Sequence, residues 1–313
     1  MGFFDLNIPY LDSSQSNKTT RTKLVVKAME LGYTGIAYNR TIKGVMSDHD
    51  RCSISPLTLS SLLNLVPSLS LSVNLHRDLL GVPRATPFRQ YTRLTVVAEN
   101  HSQSLALNSG NPVLKTYDLV AVKPLDQTVF DDACDKSEVD IIAIDFSERL
   151  PFRLKQAKVK AAIERGVYFE ITYSDLIVDV QTRRQMISNA KCAKGGYKSV
   201  HDLDSVLFDP RNFLQLAGDP RADQRRFKEL GKLKFPEQVP NTVTLSIHKL
   251  LLVDWTRGKN LIFSSAAPSV NELRGPYDVA NLSSLLGLSM ERAKAAISKN
   301  CRYERFLKPH SIQ

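Results

Sequence analysis

The stretch Asn260 to Cys301, NLIFSSAAPSVNELRGPYDVANLSSLLGLSMERAKAAISKNC, constrains the fold more than any other part of this chain. It opens on a short apolar run, Asn260 to Ser264 with Ile262 and Phe263, which has the length and composition of a buried strand. Ser264, Ser265, Ala266 and Ala267 are too small to fill space, so backbone or a ligand can approach closely there, and Pro268 blocks further extension. Arg274, Gly275 and Pro276 read as a turn. Asp278 reads as the N-cap of a helix with Val279, Leu282, Leu285 and Leu286 on one face and Gly287 at its end. Ser289 caps the next helix. Glu291 lies in its first turn, where the helix dipole favours a carboxylate, and Ala293, Ala296, Ile297 and Cys301 form one narrow stripe. Strand, polar loop and two short helices make one unit of an α/β fold.

The same rhythm runs through the preceding chain. Phe3 to Ile8 reads as a strand, and the polar run Ser13 to Thr20 leads into a helix with Leu24, Val25, Ala28 and Leu31 on one side and Gly32 at its end. Tyr33 to Tyr38 is the next strand, so a parallel sheet is expected. Ser55 and Pro56 open a Leu-rich helix. Strands are then expected at Ser70 to Leu75, Tyr91 to Ala98, Leu119 to Val122, Asp140 to Ile144 and Val167 to Ile171, with helices at His101 to Leu107, Phe130 to Cys134 and Val159 to Arg165. With Asn260 to Ser264, this is the strand count of a single-domain TIM-like (β/α) barrel, which a chain of 313 residues accommodates.

The formal charge of +10 favours a polyanionic partner, because a Lys or Arg placed near a phosphate releases condensed counterions. Composition alone leaves open a basic protein that binds no nucleic acid. Cys52, Cys134, Cys192 and Cys301 are scattered with no CxxC pair, which argues against a zinc site or a disulfide framework and for a reducing compartment. The start, MGFFDL, lacks the basic and apolar regions of a secretory signal, and Leu6 stands where a myristoylation motif needs Ser or Thr. No window reaches the roughly 20 apolar residues of a membrane span, so no membrane partner is expected.

The wording SSAA, ELRGPYDVANL and KAAISKNC closely resembles the C-terminal part of the thirty-kilodalton protein subunit of ribonuclease P and RNase MRP. The resemblance continues through YDLVAVKP at Tyr117 to Pro124, ERLPFRLK at Glu148 to Lys155, ERGVYFEITYS at Glu164 to Ser174 and TRRQMISNAK at Thr182 to Lys191. It implies a TIM-like barrel related to metal-dependent phosphoesterases of the polymerase-and-histidinol-phosphatase type, acting as a non-catalytic subunit of a ribonucleoprotein. The implied partners are RNase P or RNase MRP RNA, other protein subunits including a small α/β subunit, and precursor tRNA or precursor rRNA through the complex. The implied location is the nucleus, in its nucleolus. No cofactor is expected on this chain, and magnesium is expected at the RNA of the holoenzyme. The barrel would comprise residues 1–191 and 250–313. The segment Cys192 to Lys249 breaks the alternation with glycines, prolines and the basic cluster Arg225, Arg226 and Lys228. Joining Lys191 to Leu250 restores one helix face, with Met186, Ile187 and Ala190 followed by Leu251, Leu252 and Trp255. It reads as an insertion, either surface-exposed and partly disordered or an ordered loop. Limited proteolysis separates the two, since resistance throughout the segment excludes the disordered form.

The related phosphoesterases carry a His-x-His or His-x-Asp pair after the first strand, where residues two apart point the same way and grip a cation. Here the place holds Asp5, Leu6 and Asn7, a poor transition-metal set, so neither a metal site nor catalysis by this chain is expected. A metal-dependent phosphoesterase on the same barrel is the alternative, and a protein scaffold that needs no RNA is a third reading. His76, Arg77, Asp78 and Leu79 mimic a kinase catalytic loop without its other parts, and Gly195 to Ser199 lacks P-loop spacing. The candidate RNA contacts are Arg93, Lys123, Arg149, Arg153, Lys155, Arg183, Arg184, Lys259 and Arg274, which lie in or beside the matching segments, several at strand ends. Asp145 and Glu170 are read as buried structural carboxylates paired with these arginines.

Overall fold

Residues 2–11, 15–80, 88–146, 150–178 and 252–301 are described by the computed structural model. Seven strands form one sheet in sequence order: β1 (Phe4–Pro9), β2 (Gly35–Lys43), β3 (Arg89–Ala98), β4 (Leu119–Pro124), β5 (Ile141–Ile144), β6 (Tyr168–Thr172) and β7 (Leu261–Ser264). Every neighbouring pair is parallel, so each connection must cross back over the sheet, and helices make the crossings. These are α1 (Gln15–Glu30), α2 (Leu59–Leu65), α3 (Leu69–Leu80), α4 (His101–Leu105), α5 (Gln127–Asp135), α6 (Gln156–Glu164) and α7 (Ser174–Val178). After β7 come α8 (Pro276–Leu285) and α9 (Met290–Ala296). The result is the expected TIM-like barrel, nearly closed.

Alternation along each strand divides the apolar residues between two cores. One side packs against the helices: Ile36, Leu94, Val96, Val122, Ile142, Phe169 and Phe263 meet Val25 and Ala28 of α1, Phe130 of α5, Val159 and Ala162 of α6 and Val279 of α8. The other side fills the N-terminal half of the barrel interior with Phe4, Leu6, Ala37, Leu119, Ala121, Ile141, Tyr168 and Ile262. Glycines at φ +92 and +96, Gly32 and Gly287, follow α1 and α8 in the left-handed conformation that a Cβ disfavours, as their place in the sequence predicts.

Two expectations are corrected. Ser70 to Leu75 is not a strand but part of α3, so the described residues form seven strands rather than the eight expected. The sequence LSLSVNL alternates with period two and mimics a half-buried strand, whereas Leu71, Leu75 and Leu79 repeat every four residues as on a helix face. All three are exposed, at 78%, 58% and 72%. Asp278 is not the N-cap of α8: Gly275 is, Pro276 opens the first turn, and Asp278 sits inside that turn. Proline is preorganised for the first helical position, which moves the helix start toward it. Ser289 caps α9 as expected, its hydroxyl accepting from the Arg292 N–H.

Among the described residues β7 and β1 are not paired as strands, and the seam between them is closed by the chain after β7. Ser265 N–H donates to the Asp5 carboxylate and Ala266 N–H to the Asn7 carbonyl, both at 3.1 Å. At the other end Phe4 N–H donates to the Ile297 carbonyl at 2.9 Å, and the Asn300 amide donates to the Leu261 carbonyl at 2.8 Å. Cys301 then enters the interior cluster beside Phe4 and Ile262. The stripe Ala293, Ala296, Ile297 and Cys301 is wholly buried, at 1% exposure or less. The segment 192–249 lies outside the described residues.

Phe130 is fully buried and stacks on Phe152 with ring centroids 4.6 Å apart. Phe130→Ala should lower stability by about 3–5 kcal/mol, seen as a reduced urea midpoint at unchanged slope.

Candidate functional site

Halfway up the barrel the interior changes from apolar to polar. The period of two that points Ala37 and Tyr91 inward also points Asn39 and Arg93 inward one layer above. Arg93 on β3 is fully buried, and it forks onto Glu170 on β6, which is buried equally, through two charge-assisted bonds of 2.6 Å. Its remaining bonds reach the Leu6 carbonyl on β1 at 2.8 Å and the Thr95 hydroxyl at 3.1 Å. Glu170 also accepts from the Ser264 hydroxyl on β7 at 2.6 Å and, at 3.4 Å, from the Asn7 amide. Asn39 donates to Asn7 at 2.8 Å and accepts from Thr95 at 2.7 Å, so the ring closes upon itself. A charge pair removed from water persists only when its remaining donors and lone pairs are met in this way.

Asp5 lies at the edge of this layer. Its Oδ1 accepts from the N–H groups of Asn7 and Ser265, both at 3.1 Å. Burial pushes the Asp5 carboxyl above the ordinary aspartate range; the bonds from Ser265 and Asn7 oppose that rise, and the charge of Glu170 adds to it.

Above the ring the barrel opens into a cavity of about 500 Å³. Thr95, Lys43, Lys123 and Asp145 are among its walls. Lys123 and Asp145 pair at 2.7 Å with each side chain about one-third exposed.

The sequence-derived contact residues do not form one patch. Arg93 has no exposed surface, and its donors are spent inside the barrel; it is a structural cation rather than a phosphate ligand, because the inward side of β3 at its level is the polar ring. Glu170 pairs with an arginine as expected, whereas Asp145 pairs with Lys123 and is not buried. Arg153 and Lys155 are exposed ahead of α6; Lys155 reaches Asp131 at 2.9 Å, and the Arg153 backbone is pinned by Gln127. Arg274 is half-buried, its guanidinium turned onto the carbonyls of Asn271 and Leu273. Its backbone is held by the hydroxyls of Tyr33 and Tyr173. Lys259 is exposed but stands before β7, at the end of the barrel opposite the cavity. Arg149, Arg183 and Arg184 lie outside the described residues. Among the described residues, no group of three His, Cys, Asp or Glu side chains is placed to hold a metal ion. Asn39 and Thr95 escaped the sequence reading, although polar residues two apart from Arg93 and Ala37 on inward-facing positions signal them.

The family model described as RNase P subunit p30 matches residues 2–199 and 247–303. The chain belongs to the RNase P subunit p30 family. It is 54% identical over 309 residues to Protein GAMETOPHYTE DEFECTIVE 1 of Arabidopsis thaliana, a match covering 96% of this chain and 43% of that protein. Over 279 residues it is 30% identical to Ribonuclease P protein subunit p30 of Mus musculus, covering 89% of this chain and 77% of the relative. Over 302 residues it is 24% identical to Probable ribonuclease P protein subunit 3 of Schizosaccharomyces pombe, covering 96% and 91%. The chain therefore spans less than half the length of the Arabidopsis relative. The break in the p30 match falls within the segment that interrupts the strand and helix alternation.

Two outcomes test the polar layer. Arg93→Met strands a buried carboxylate and Glu170→Leu a buried guanidinium, so each alone should cost about 3–5 kcal/mol in urea unfolding, and the double variant clearly less than the sum. Because Asp5 has a raised folded-state pKa, the folded chain binds more protons than the unfolded one between the ordinary aspartate range and that raised value. Stability from this group therefore falls as pH rises through the window and stays lost above it. Asp5→Asn keeps the oxygen that accepts both N–H groups, so its urea midpoint should gain on that of the native chain between acid and neutral pH.

Proposed function

We propose that this p30-family chain is a non-catalytic protein subunit of an RNase P or RNase MRP ribonucleoprotein, in which RNA performs the cleavage of precursor tRNA leaders or precursor rRNA. The observation that carries the reading is the p30 match over both the N-terminal strands and the β7–α9 segment. The interior chemistry supports it. At the level where a barrel of phosphoesterase descent would gather its metal ligands, the guanidinium of Arg93 supplies the positive charge, and both oxygens of Glu170 are committed to it. A tightly packed ion pair whose donors and acceptors are met inside the protein has nothing to offer a substrate.

The chain's role in this reading is to neutralise and brace RNA and to dock other subunits, a small α/β subunit among them. The excess of cations suits it, with 42 Lys and Arg against 32 Asp and Glu. Its place would be the nucleus, within the nucleolus where precursor RNAs are trimmed, and magnesium would be held by the RNA. The salt dependence of assembly discriminates this role from protein-only scaffolding, since phosphate contacts weaken steeply with ionic strength and apolar protein contacts do not. Purification of the tagged protein from its native cells at low salt, followed by sequencing of the RNA that accompanies it, should show strong enrichment of one RNase P or MRP RNA, lost as salt rises. Recovery of protein partners without any such RNA would refute the proposal.

A further inference from the structure

A second cavity, of about 430 Å³, lies beside the barrel mouth; Pro9 lines both. Its walls come from the loop leaving β1, from α1 and from the loop after β7, with Tyr10, Leu11, Leu24 and Pro268 giving an apolar floor and Lys18 and Arg21 the cationic side. Leu11 is 68% exposed. The guanidinium of Arg21 sits 5.3 Å from the ring centre of Tyr10 and 5.4 Å from that of Tyr38, so cation–π attraction holds it in place without neutralising it. Its Nε is buried with no hydrogen-bond partner, and among the described residues its guanidinium makes one bond, to the Ser55 carbonyl, long at 3.4 Å.

Charge separates this region from three of the other basic residues. Lys123, Lys155 and Lys158 each hold an aspartate. Helix α1 carries Lys18, Arg21, Lys23 and Lys27 against a single carboxylate, Glu30, which pairs with Lys27. Among the described residues, Lys18, Arg21 and Lys23 have no acidic partner. A guanidinium fixed over two tyrosines, a lysine one helical turn before it with no acidic partner among the described residues, and the partly exposed Tyr10 beside the exposed Leu11 match the two halves of a nucleotide: phosphate on the cations, base or ribose on Tyr10 and Leu11. A duplex hides its base faces, so the fit is to an unpaired strand, and the cavity is large enough for about one or two nucleotides.

We infer that the groove lined by Tyr10, Leu11, Lys18, Arg21 and Pro268 binds a single-stranded RNA segment. The inference rests on the ribonucleoprotein reading and assigns it a surface absent from the sequence-derived contacts. Two measurements test it. In the native complex, ultraviolet cross-linking followed by mass spectrometry should place an RNA adduct on the peptide containing Tyr10 and Leu11. On the purified full chain, Lys18→Ala should weaken binding of a short oligouridine several-fold at low salt and reduce the slope of log affinity against log salt by about 0.7, while hairpin RNA binding changes little. Leu11→Ser, a change at an exposed site, should weaken the same oligouridine with no change in the salt slope. Adducts confined to other peptides, with RNA still present, would overturn the groove and leave the subunit role standing. Equal loss of hairpin and single-strand binding, or capture of Lys18 by an acidic protein in carboxylate-to-amine cross-linking, would also overturn the groove. No RNA in the native complex would overturn both proposals.

Discussion

Everything inside this barrel depends on the pairing of Arg93 with Glu170. The two residues are 77 positions apart and occupy strands on different sides of the ring, and both have lost all contact with water. Burial of either charge alone would be prohibitive, and together they are tolerable only because further bonds come from the Leu6 carbonyl, Thr95, Ser264 and Asn7. Those supporting atoms sit on β1, β3 and β7, so one ion pair ties β3 and β6 to the strands on both sides of the seam. Apolar packing below it is interchangeable to a degree; the polar layer is specific, because each member fixes the position of the next.

This arrangement fills the middle of the barrel with a self-contained polar layer. The central cation is covalently part of the chain, and its counter-charge is fully engaged. The loops and helices around the C-terminal rim keep side chains at the surface, where partners can meet them. Lys123 and Lys155 are themselves paired with aspartates, whereas among the described residues Lys18, Arg21 and Lys23 of α1 have no acidic partner.

The sequence disclosed the architecture more readily than the site. Strands with continuous apolar runs, such as Ile141–Ile144 and Leu261–Ser264, were legible because a parallel sheet covered on both sides demands them. The segment around Leu71 was misread because period-two alternation and a four-residue repeat coexist in LSLSVNL, and only tertiary context decides between them. The fate of Arg93 was not legible either: an arginine between Thr92 and Leu94 looks like a strand-end phosphate ligand until the strand's inward register is known, and that register depends on pairing with β2 and β4. Glu170 could be read as structural since it stands within an apolar strand, where a lone carboxylate requires a partner. The importance of Arg21 escaped detection because its two aromatic neighbours, Tyr10 and Tyr38, lie on other elements of the chain.

The seam between the first and last strands has a consequence for how the molecule comes into being. The edge of β1 that faces β7 finds partners, among the described residues, in Ser265, 260 positions downstream of Asp5, and in the turn that carries Ile297. Until that distant segment arrives, six strands can pair while the first keeps an open hydrogen-bonding edge and the interior keeps a slot where Cys301 belongs. Loop closure over so long a separation is entropically slow, and a chain emerging from its N-terminus must wait with a half-built ring. The barrel is therefore assembled less like a stack than like a clasp, fastened once by its final segment, and an assembly partner that met the open form would meet a different surface from the one the finished ring presents.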